Sequence, residues 1–259
     1  MKLGLCTGPQ HIELAARLGF DYIECSVTAI AAMDQAEFDA LLAKKPDFPI
    51  PILKCNGFLP GDVRPVGPDV KETVLDEYLT HALSRVSALG VKVIVFGSGA
   101  ARSVPEGWSH VDAWRQLVDF LRFLIPYCEK YDVSIALEPL RRKESNILNL
   151  VSEGTLLSAV VNHPRIGVLG DSFHMVTGRE PWDALRYAGE KLLHVHISHS
   201  LPDLSGRIYP APGDGEDYAP LINTLKEMGY PGDVSIEAGC KDMETDGAAA
   251  VSCLSPLMK

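Results

Sequence analysis

Acidic and imidazole side chains occur at or near the ends of apolar segments in the second half of the chain. These residues are Glu138, Asp171, His194, His196 and Glu237. An ionised group inside an apolar strand is costly to bury unless it is paired or binds a metal ion. Carboxylate oxygens with one imidazole suit Mn²⁺, Mg²⁺ or Co²⁺ better than a structural zinc, which prefers cysteine and histidine. The residue types therefore predict a divalent-metal site with positions left open for substrate oxygens.

Each of these residues also has a purely structural explanation. Glu138 precedes a proline and could end a strand facing solvent, and Asp171 could cap the helix that follows it. A lone histidine in a strand is more often a hydrogen-bonded core residue than a ligand. Glu237 is the hardest to explain in this way, because the strand around it is apolar. The occurrence of all these groups at strand ends favours the metal site.

Short segments rich in Val, Ile and Leu alternate with segments of helical periodicity along the whole chain. We predict eight strands, at residues 3–7, 22–27, 50–57, 91–97, 133–140, 166–171, 192–198 and 234–238. Helices are predicted at residues 11–18, ending at Gly19, and 70–89, ending at Gly90. Apolar strands that alternate with helices indicate a parallel sheet covered by helices. Eight such units in 259 residues predict a (β/α)8 TIM barrel, with residues 1–259 forming one domain.

The connections after the predicted strands carry further information. A dinucleotide-binding fold would need G-x-G-x-x-G after the first strand, but that turn is Cys6-Thr7-Gly8-Pro9-Gln10. Gly97-Ser98-Gly99 lacks a third glycine and is better explained as a tight turn than as a phosphate-binding loop. The segments 58–68 and 202–220 are rich in proline and glycine and are expected to form the mouth of the barrel. We expect the last helix, after Gly239, to be short.

Charge and composition argue against several classes of function. The formal net charge is −10, and the longest basic cluster is Arg141-Arg142-Lys143. Proteins that bind nucleic acid usually present a basic face, so a nucleic-acid partner is disfavoured. No apolar stretch reaches the roughly 18 residues of a membrane helix, and the N-terminus does not resemble a signal peptide. We therefore expect no membrane partner and a cytoplasmic protein. The six scattered cysteines form no CxxC pair and are expected to be reduced.

A site of this composition supports proton transfer next to a carbonyl group. A metal ion bound to a sugar carbonyl and the adjacent hydroxyl acidifies the neighbouring C–H bond, so that a carboxylate can remove the proton and give an enediolate. Return of the proton to the adjacent carbon by the same base is aldose–ketose isomerisation. Return by a second carboxylate on the opposite face inverts the carbon. Glu138 and Glu237 lie on predicted strands three apart in the ring of eight, so they could flank a substrate.

These residues resemble the pattern of the sugar isomerase/epimerase superfamily of xylose-isomerase-like barrels. Within it, the chain is most similar to the ketose 3-epimerases of the D-tagatose 3-epimerase group. The resemblance is strongest from residue 133 to residue 238, and the first half of the chain matches mainly in the spacing of its predicted strands. The matching segments are residues 136–140, 144–146, 171–175, 194–198 and 236–237.

The resemblance implies a role for each matching residue. The implied ligands of one divalent metal ion are Glu138, Asp171, His196 and Glu237. Mn²⁺ is the expected ion, with Mg²⁺, Co²⁺ or Zn²⁺ as alternatives. The two glutamates would also transfer the proton. The implied substrate-binding residues are His174, Glu144, Arg207 and Glu24. His174 would hydrogen-bond a substrate oxygen near the reacting carbons, and Glu24 matches a position that often lines the pocket, with a solvated rim charge as its alternative.

The chain departs from the family pattern after the metal-binding histidine. Family members carry an acidic residue three positions later and an arginine soon after that, whereas this sequence has His199 and Pro202. Arg207 could supply the arginine through a longer loop. The departure bears on the identity of the sugar and on epimerisation more than on the metal site.

Relatives with the same fold provide alternative functions. Some isomerise aldoses and ketoses, and others isomerise or dehydrate cyclitols such as inososes. AP endonucleases have a site with three zinc ions and a basic DNA-facing surface, which a net charge of −10 disfavours. A non-catalytic sugar-binding barrel would not need a pair of glutamates. We therefore predict a metal-dependent sugar isomerase or epimerase that most closely fits 3-epimerisation of a ketose. Homo-oligomers are common among such barrels, and the sequence leaves the sugar open.

Overall fold

Eight parallel strands close into a barrel in the computed structural model, which describes all residues from 1 to 259. The barrel strands are β1 (Leu3–Cys6), β2 (Tyr22–Ser26), β3 (Ile52–Asn56), β4 (Val93–Phe96), β5 (Ser134–Leu137), β6 (Ile166–Asp171), β7 (Leu192–Ile197) and β10 (Val234–Ile236). They follow one another around the ring in chain order, and β10 pairs with β1 to close it. The predicted (β/α)8 barrel is confirmed. Two short strands, β8 (His199–Ser200) and β9 (Arg207–Ile208), form a separate antiparallel hairpin after β7.

Helices cover the outside of the barrel. They are α1 (Ile12–Leu18), α2 (Val27–Ala32), α3 (Gln35–Lys44), α4 (Glu72–Leu89), α5 (Gly99–Arg102), α6 (His110–Lys130), α7 (Val151–Val161), α8 (Ser172–Gly178), α9 (Ala184–Ala188), α10 (Ala219–Glu227) and α11 (Met243–Met258). The predicted ends at Gly19 and Gly90 are confirmed, since both glycines adopt φ near +96° in the left-handed region that glycine tolerates. None of the helices has the length and apolar character needed to cross a membrane.

Several elements differ in extent from the prediction. The expectation of a short last helix was wrong, because α11 has 16 residues. Strands β5 and β10 end one residue before Glu138 and Glu237, respectively. Both glutamates are nevertheless anchored to the neighbouring strand, through Glu138 N–H to the Phe96 carbonyl (3.2 Å) and Glu237 N–H to the Ile197 carbonyl (3.3 Å). Their side chains therefore project from a fixed backbone at the rim.

Polar side chains fill part of the barrel interior beneath the rim. The Tyr22 hydroxyl lies 2.8 Å from Ser235 Oγ, and the buried Lys54 ammonium lies 3.3 Å from Asp233 Oδ2. Gly4 makes room for this arrangement, because a Cβ atom there would collide with the Tyr22 ring. His194 Nε2 lies 3.1 Å from Ser235 Oγ. The interior is thus a connected polar layer that continues upwards to the strand ends.

The cysteines are all free, and their exposure predicts which of them reacts with a thiol reagent. Burial raises the pKa of Cys25 and Cys128 to about 12, whereas Cys240 is exposed. We expect the native protein at pH 8 to show one fast-reacting thiol, and all six to react after unfolding. Cys240→Ser should remove the fast phase. Rapid modification of several thiols in the native state would contradict the packing described here.

Candidate metal centre

The four residues expected to bind a metal ion converge on one point at the rim. Asp171 is the last residue of β6, His196 lies in β7, and Glu138 and Glu237 directly follow β5 and β10. One ligand atom from each residue lies within 4.8 Å of all the others. His196 Nδ1 is 3.1 Å from Glu237 Oε2 and 3.6 Å from both Glu138 Oε1 and Asp171 Oδ2. Adjacent barrel strands therefore place three carboxylates around one imidazole nitrogen.

Unpartnered polar atoms face this point. Glu138 Oε1 and His196 Nδ1 are buried and have no hydrogen-bond partner. Leaving a buried polar atom unpaired costs about 1–3 kcal/mol, so two such atoms facing each other are unfavourable unless something binds between them. Three carboxylate oxygens and one imidazole nitrogen form a donor set suited to Mn²⁺ and similar ions. The residues therefore fit a divalent metal ion.

The two glutamates of this group have opposite pKa shifts. Burial, together with the nearby Glu237 charge, raises the pKa of Glu138 above its usual range. Burial acts in the same direction on Glu237, but the charges of His196 and Arg207 outweigh it and lower the pKa of that carboxyl. The environment therefore makes the two carboxylates chemically distinct, as an acid and base pair requires.

The buried carboxylate of Glu24 contacts His196 on the side of the imidazole that faces away from the ligand cluster. Glu24 accepts hydrogen bonds from His196 Nε2 (3.0 Å, to Oε1) and from His194 Nε2 (2.8 Å, to Oε2). Its side chain has 0% exposure, and the two imidazoles outweigh the effect of burial and lower its pKa well below the usual range. With Nε2–H committed to Glu24, Nδ1 is the nitrogen of His196 that faces the ligand cluster, and its lone pair would coordinate a metal ion there. Glu24 also belongs to the lining of the cleft that opens beside Glu237, so its expected substrate contact stays a prediction.

Removal of the Glu24 carboxylate is expected to weaken metal binding without removing a ligand. In Glu24→Ala, His196 loses the partner that fixes its orientation and tautomer, and we expect Mn²⁺ affinity to fall roughly 10- to 100-fold. Calorimetric titration of the metal-free protein measures the change. Glu244→Ala removes the same charge from the exposed first turn of α11 and serves as the control. Equal affinities in the two variants would show that Glu24 does not position His196.

His174 lies beside the cluster because α8 begins at Asp171. Asp171 Oδ1 accepts a hydrogen bond from the His174 backbone N–H (2.9 Å) and so caps the helix. The Arg141 backbone N–H donates to His174 Nδ1 (3.3 Å), which leaves Nε2 to carry the proton. This Nε2 is buried, unpartnered, and 3.8 Å from Glu138 Oε1. It is therefore a hydrogen-bond donor directed at the space next to the ligands.

Glu144 lies at the outer edge of the same space. Its Oε2 is 4.0 Å from His174 Nε2, and its Oε1 accepts from Arg141 Nε at 2.5 Å. The Arg141 guanidinium also stacks 4.6 Å from the centre of the Phe173 ring and donates to the Leu204 carbonyl. The loop after β5 is thereby tied to the loop after β7.

The hairpin of β8 and β9 carries Arg207 into the site. Its guanidinium donates to Asp171 Oδ2 and to Glu237 Oε2, both at 2.6 Å. The longer loop thus brings an arginine to the ligand cluster from a position other than residue 202. His199, in place of the acidic residue of the family pattern, is buried with Nδ1 3.6 Å from Asp214 Oδ2 and 3.7 Å from Glu216 Oε2. His199 therefore faces the loop segment that contains Asp214 and Glu216.

Two further polar residues contact the ligands, and the sequence did not single them out. Asn56, at the end of β3, donates from Nδ2 to Glu237 Oε1 at 3.0 Å. Arg102 is completely buried and donates to the backbone carbonyls of Glu138 (2.6 Å) and Phe96 (2.7 Å). The sequence signal for Asn56 is an amide side chain at the end of an apolar strand. Gly97 packs against the Glu138 carboxylate where a Cβ would collide with it, which explains the glycine of that turn.

A cleft opens beside Glu237 on the side of β1 to β3. Its volume is about 380 Å³. The residues that give it mixed polar and apolar character include Cys6, Thr7, Ser26, Ile30, Met33 and Asn56. The cleft reaches the cluster at Glu237, so a small polar molecule bound there would touch the candidate metal centre.

Comparison with known proteins places these features in context. A family model described as xylose isomerase-like TIM barrel matches residues 12–254. The chain is 26% identical over 234 residues to D-psicose 3-epimerase of Ruminiclostridium cellulolyticum H10, covering 88% of this chain and 76% of that protein. It is 28% identical over 228 residues to L-ribulose 3-epimerase of Methylomonas sp. DH-1, covering 86% and 76%. The crystal structure of D-psicose 3-epimerase with D-tagatose from Clostridium cellulolyticum H10 superposes with a TM-score of 0.85 at 21% identity, over 100% of both chains.

Proposed function

Because the chain belongs to the xylose isomerase-like TIM barrel family, we propose that its barrel rim catalyses the metal-dependent 3-epimerisation of a ketose. The observation that carries the proposal is the convergence of Glu138 and Glu237 on one site around His196 Nδ1. The similarity to D-psicose and L-ribulose 3-epimerases supports the reaction class and does not favour aldose–ketose or cyclitol chemistry. The paired glutamates also argue against a barrel that only binds sugars.

In this proposal, the metal ion is held by Glu138, Asp171, His196 and Glu237. When bound, it acts as a Lewis acid that polarises the ketose carbonyl and so acidifies the C3–H bond. Mn²⁺ is the proposed ion, because carboxylate-rich sites with one imidazole suit it. The structure supports the donor set through the two unpartnered atoms, Glu138 Oε1 and His196 Nδ1.

The two glutamates are proposed to move the proton. One removes the C3 proton from its face of the sugar, and the other returns a proton from the opposite face, which inverts C3. They directly follow β5 and β10, which are three strands apart in the ring, and this separation supports a role on two sides of a substrate lying across the rim. The lowered pKa of Glu237 and the raised pKa of Glu138 support different roles for the two carboxyl groups in the proton transfer.

The remaining polar residues are proposed to orient the sugar. His174 Nε2–H would donate to a substrate oxygen near C2 and C3, because no group in the protein accepts its proton. Arg207 and Glu144 border the same space and are proposed as further contacts. Glu24 is proposed to act through His196. The part of the sugar beyond C3 would occupy the cleft lined by Thr7, Ser26 and Asn56.

A substrate panel tests the proposal. The chelator-treated protein is reloaded separately with Mn²⁺, Mg²⁺, Co²⁺ or Zn²⁺ and incubated with D-fructose, D-tagatose and L-ribulose, and the products are separated by chromatography. We expect interconversion with the corresponding C3 epimer for at least one ketose and none without metal. Formation of an aldose instead would move the reaction to isomerisation. No product from any ketose with any of the four metals would refute the proposed reaction.

A further inference from the structure

Two of the proposed metal ligands have only one oxygen each available for coordination. Asp171 Oδ1 is committed to the backbone N–H of His174, where it caps α8. Glu237 Oε1 is committed to Nδ2 of Asn56. The oxygens that remain are Asp171 Oδ2 and Glu237 Oε2, which lie 3.6 Å and 3.1 Å from His196 Nδ1.

Arg207 already binds both of these oxygens. Its two terminal nitrogens donate to Asp171 Oδ2 and Glu237 Oε2 at 2.6 Å each. Charge-assisted bonds of this length are among the strongest in proteins. The guanidinium is therefore a cation placed where the carboxylates would otherwise repel each other, and it offers them the charge that a metal ion also offers.

The surroundings of Arg207 hold it in this position. Its guanidinium stacks 5.4 Å from the centre of the Phe173 ring, and its side chain is only 20% exposed. Its backbone carbonyl accepts from Gly239 N–H (3.3 Å), two residues beyond Glu237, and Ile208 bridges to the same glycine. The contacts with Phe173 and Gly239 therefore hold the Arg207 side chain next to the two ligands.

We propose that Arg207 is a positioning residue that stands in for the metal ion in the metal-free protein and competes with the ion for Asp171 Oδ2 and Glu237 Oε2. The inference rests on the metal site of the proposed function and not on the sugar. Arg207 keeps the ligand set ordered before an ion binds, and metal binding has to displace its two hydrogen bonds. The apparent metal affinity of the chain is thus lower than that of the four ligands alone.

The test is metal binding by Arg207→Met, with Arg207→Lys as a variant that keeps the charge. Mn²⁺ binding to the chelator-treated proteins is measured by calorimetry, and thermal unfolding is recorded with and without Mn²⁺. We expect Arg207→Met to bind Mn²⁺ about tenfold more tightly, because a unit positive charge next to the ion is gone. Its metal-free form should unfold at a lower temperature than the wild type, and its stabilisation by Mn²⁺ should be larger. Arg207→Lys should lie between the two in both measurements.

Arg165→Met provides the matched control, because it removes the same charge from the residue before β6, at the opposite end of the barrel, where it pairs with the exposed Asp132. Its Mn²⁺ affinity should equal that of the wild type. Unchanged or weaker Mn²⁺ binding by Arg207→Met and Arg207→Lys would overturn the competition while leaving the proposed reaction intact. Absence of Mn²⁺ binding by the wild-type protein would overturn both. Inactivity of the wild-type protein on ketoses would refute only the reaction, provided that Arg207→Met still binds Mn²⁺ more tightly than the wild type.

Discussion

Glu237→Gln is expected to lower turnover by roughly 10³- to 10⁴-fold, within the range and at the upper end of what a positioned acid–base group contributes. The amide has almost the same shape as the carboxylate and keeps an oxygen for Asn56, so the barrel should still fold, with a lower unfolding temperature because the charge-assisted bond from Arg207 to Oε2 is lost. It can no longer accept the C3 proton. Initial rates of ketose epimerisation, measured at saturating Mn²⁺, give the comparison.

The control for this variant is Glu190→Gln, which makes the same change at an exposed position between α9 and β7. Its rate should stay within a factor of about two of the wild type, as expected for a surface substitution. A Glu237→Gln rate within tenfold of the wild type would show that this carboxylate is not one of the bases. Glu138→Gln should lower turnover by a comparable factor, because the proposed inversion needs one carboxylate on each face of the sugar.

Asp171→Asn is expected to abolish metal-dependent activity at ordinary Mn²⁺ concentrations. The loss of a charged ligand should weaken Mn²⁺ binding by more than the 10- to 100-fold that follows removal of an outer partner of a ligand. Asparagine still offers Oδ1 to the His174 N–H, so the cap of α8 survives, while the charge-assisted bond from Arg207 to Oδ2 is lost. Calorimetric titration with Mn²⁺, compared with thermal unfolding of the metal-free protein, separates ligation from folding.

Asp171→Ala completes this comparison. It removes the cap as well as the ligand, so it should lose about 1 kcal/mol more stability than Asp171→Asn while binding Mn²⁺ just as poorly. Wild-type Mn²⁺ affinity in Asp171→Asn would contradict the ligand assignment. Equal stability of the two variants would show that the cap contributes little to α8.

The barrel and the ligand cluster could be predicted because both depend on local pattern. Eight apolar strands alternating with helices leave few alternatives to a closed parallel sheet. In such a barrel all strands end at the same rim, so Asp171 and Glu237 had to lie close together whatever the details of closure. The boundaries of α11 were missed because its Ala, Gly and Ser residues carry a weak helical periodicity.

The resemblance pointed to Glu24 and Arg207 as site residues, but their contacts could not be predicted from local pattern. Glu24 meets His196 across 172 positions of sequence, and this contact depends on which residues of β2 and β7 face inward at the same height. Arg207 reaches the site only because residues 199–208 form a hairpin that folds back towards β10. Arg102 acts through the backbone carbonyl of Glu138, a contact with no signature in side-chain type. The contacts of these three residues depend on long-range strand register and on inserted turns.

Hydrogen exchange at C3 of a ketose in D₂O tests the central claim most directly. The Mn²⁺-loaded protein is incubated with each ketose, and deuterium at each carbon is followed by NMR, with the chelator-treated protein and Glu237→Gln as references. We expect metal-dependent deuterium incorporation at C3 alone, accompanied by the C3 epimer, and no epimer in either reference. Deuterium at C1 with formation of an aldose, or formation of the C3 epimer by Glu237→Gln at the wild-type rate, would contradict the two-carboxylate mechanism.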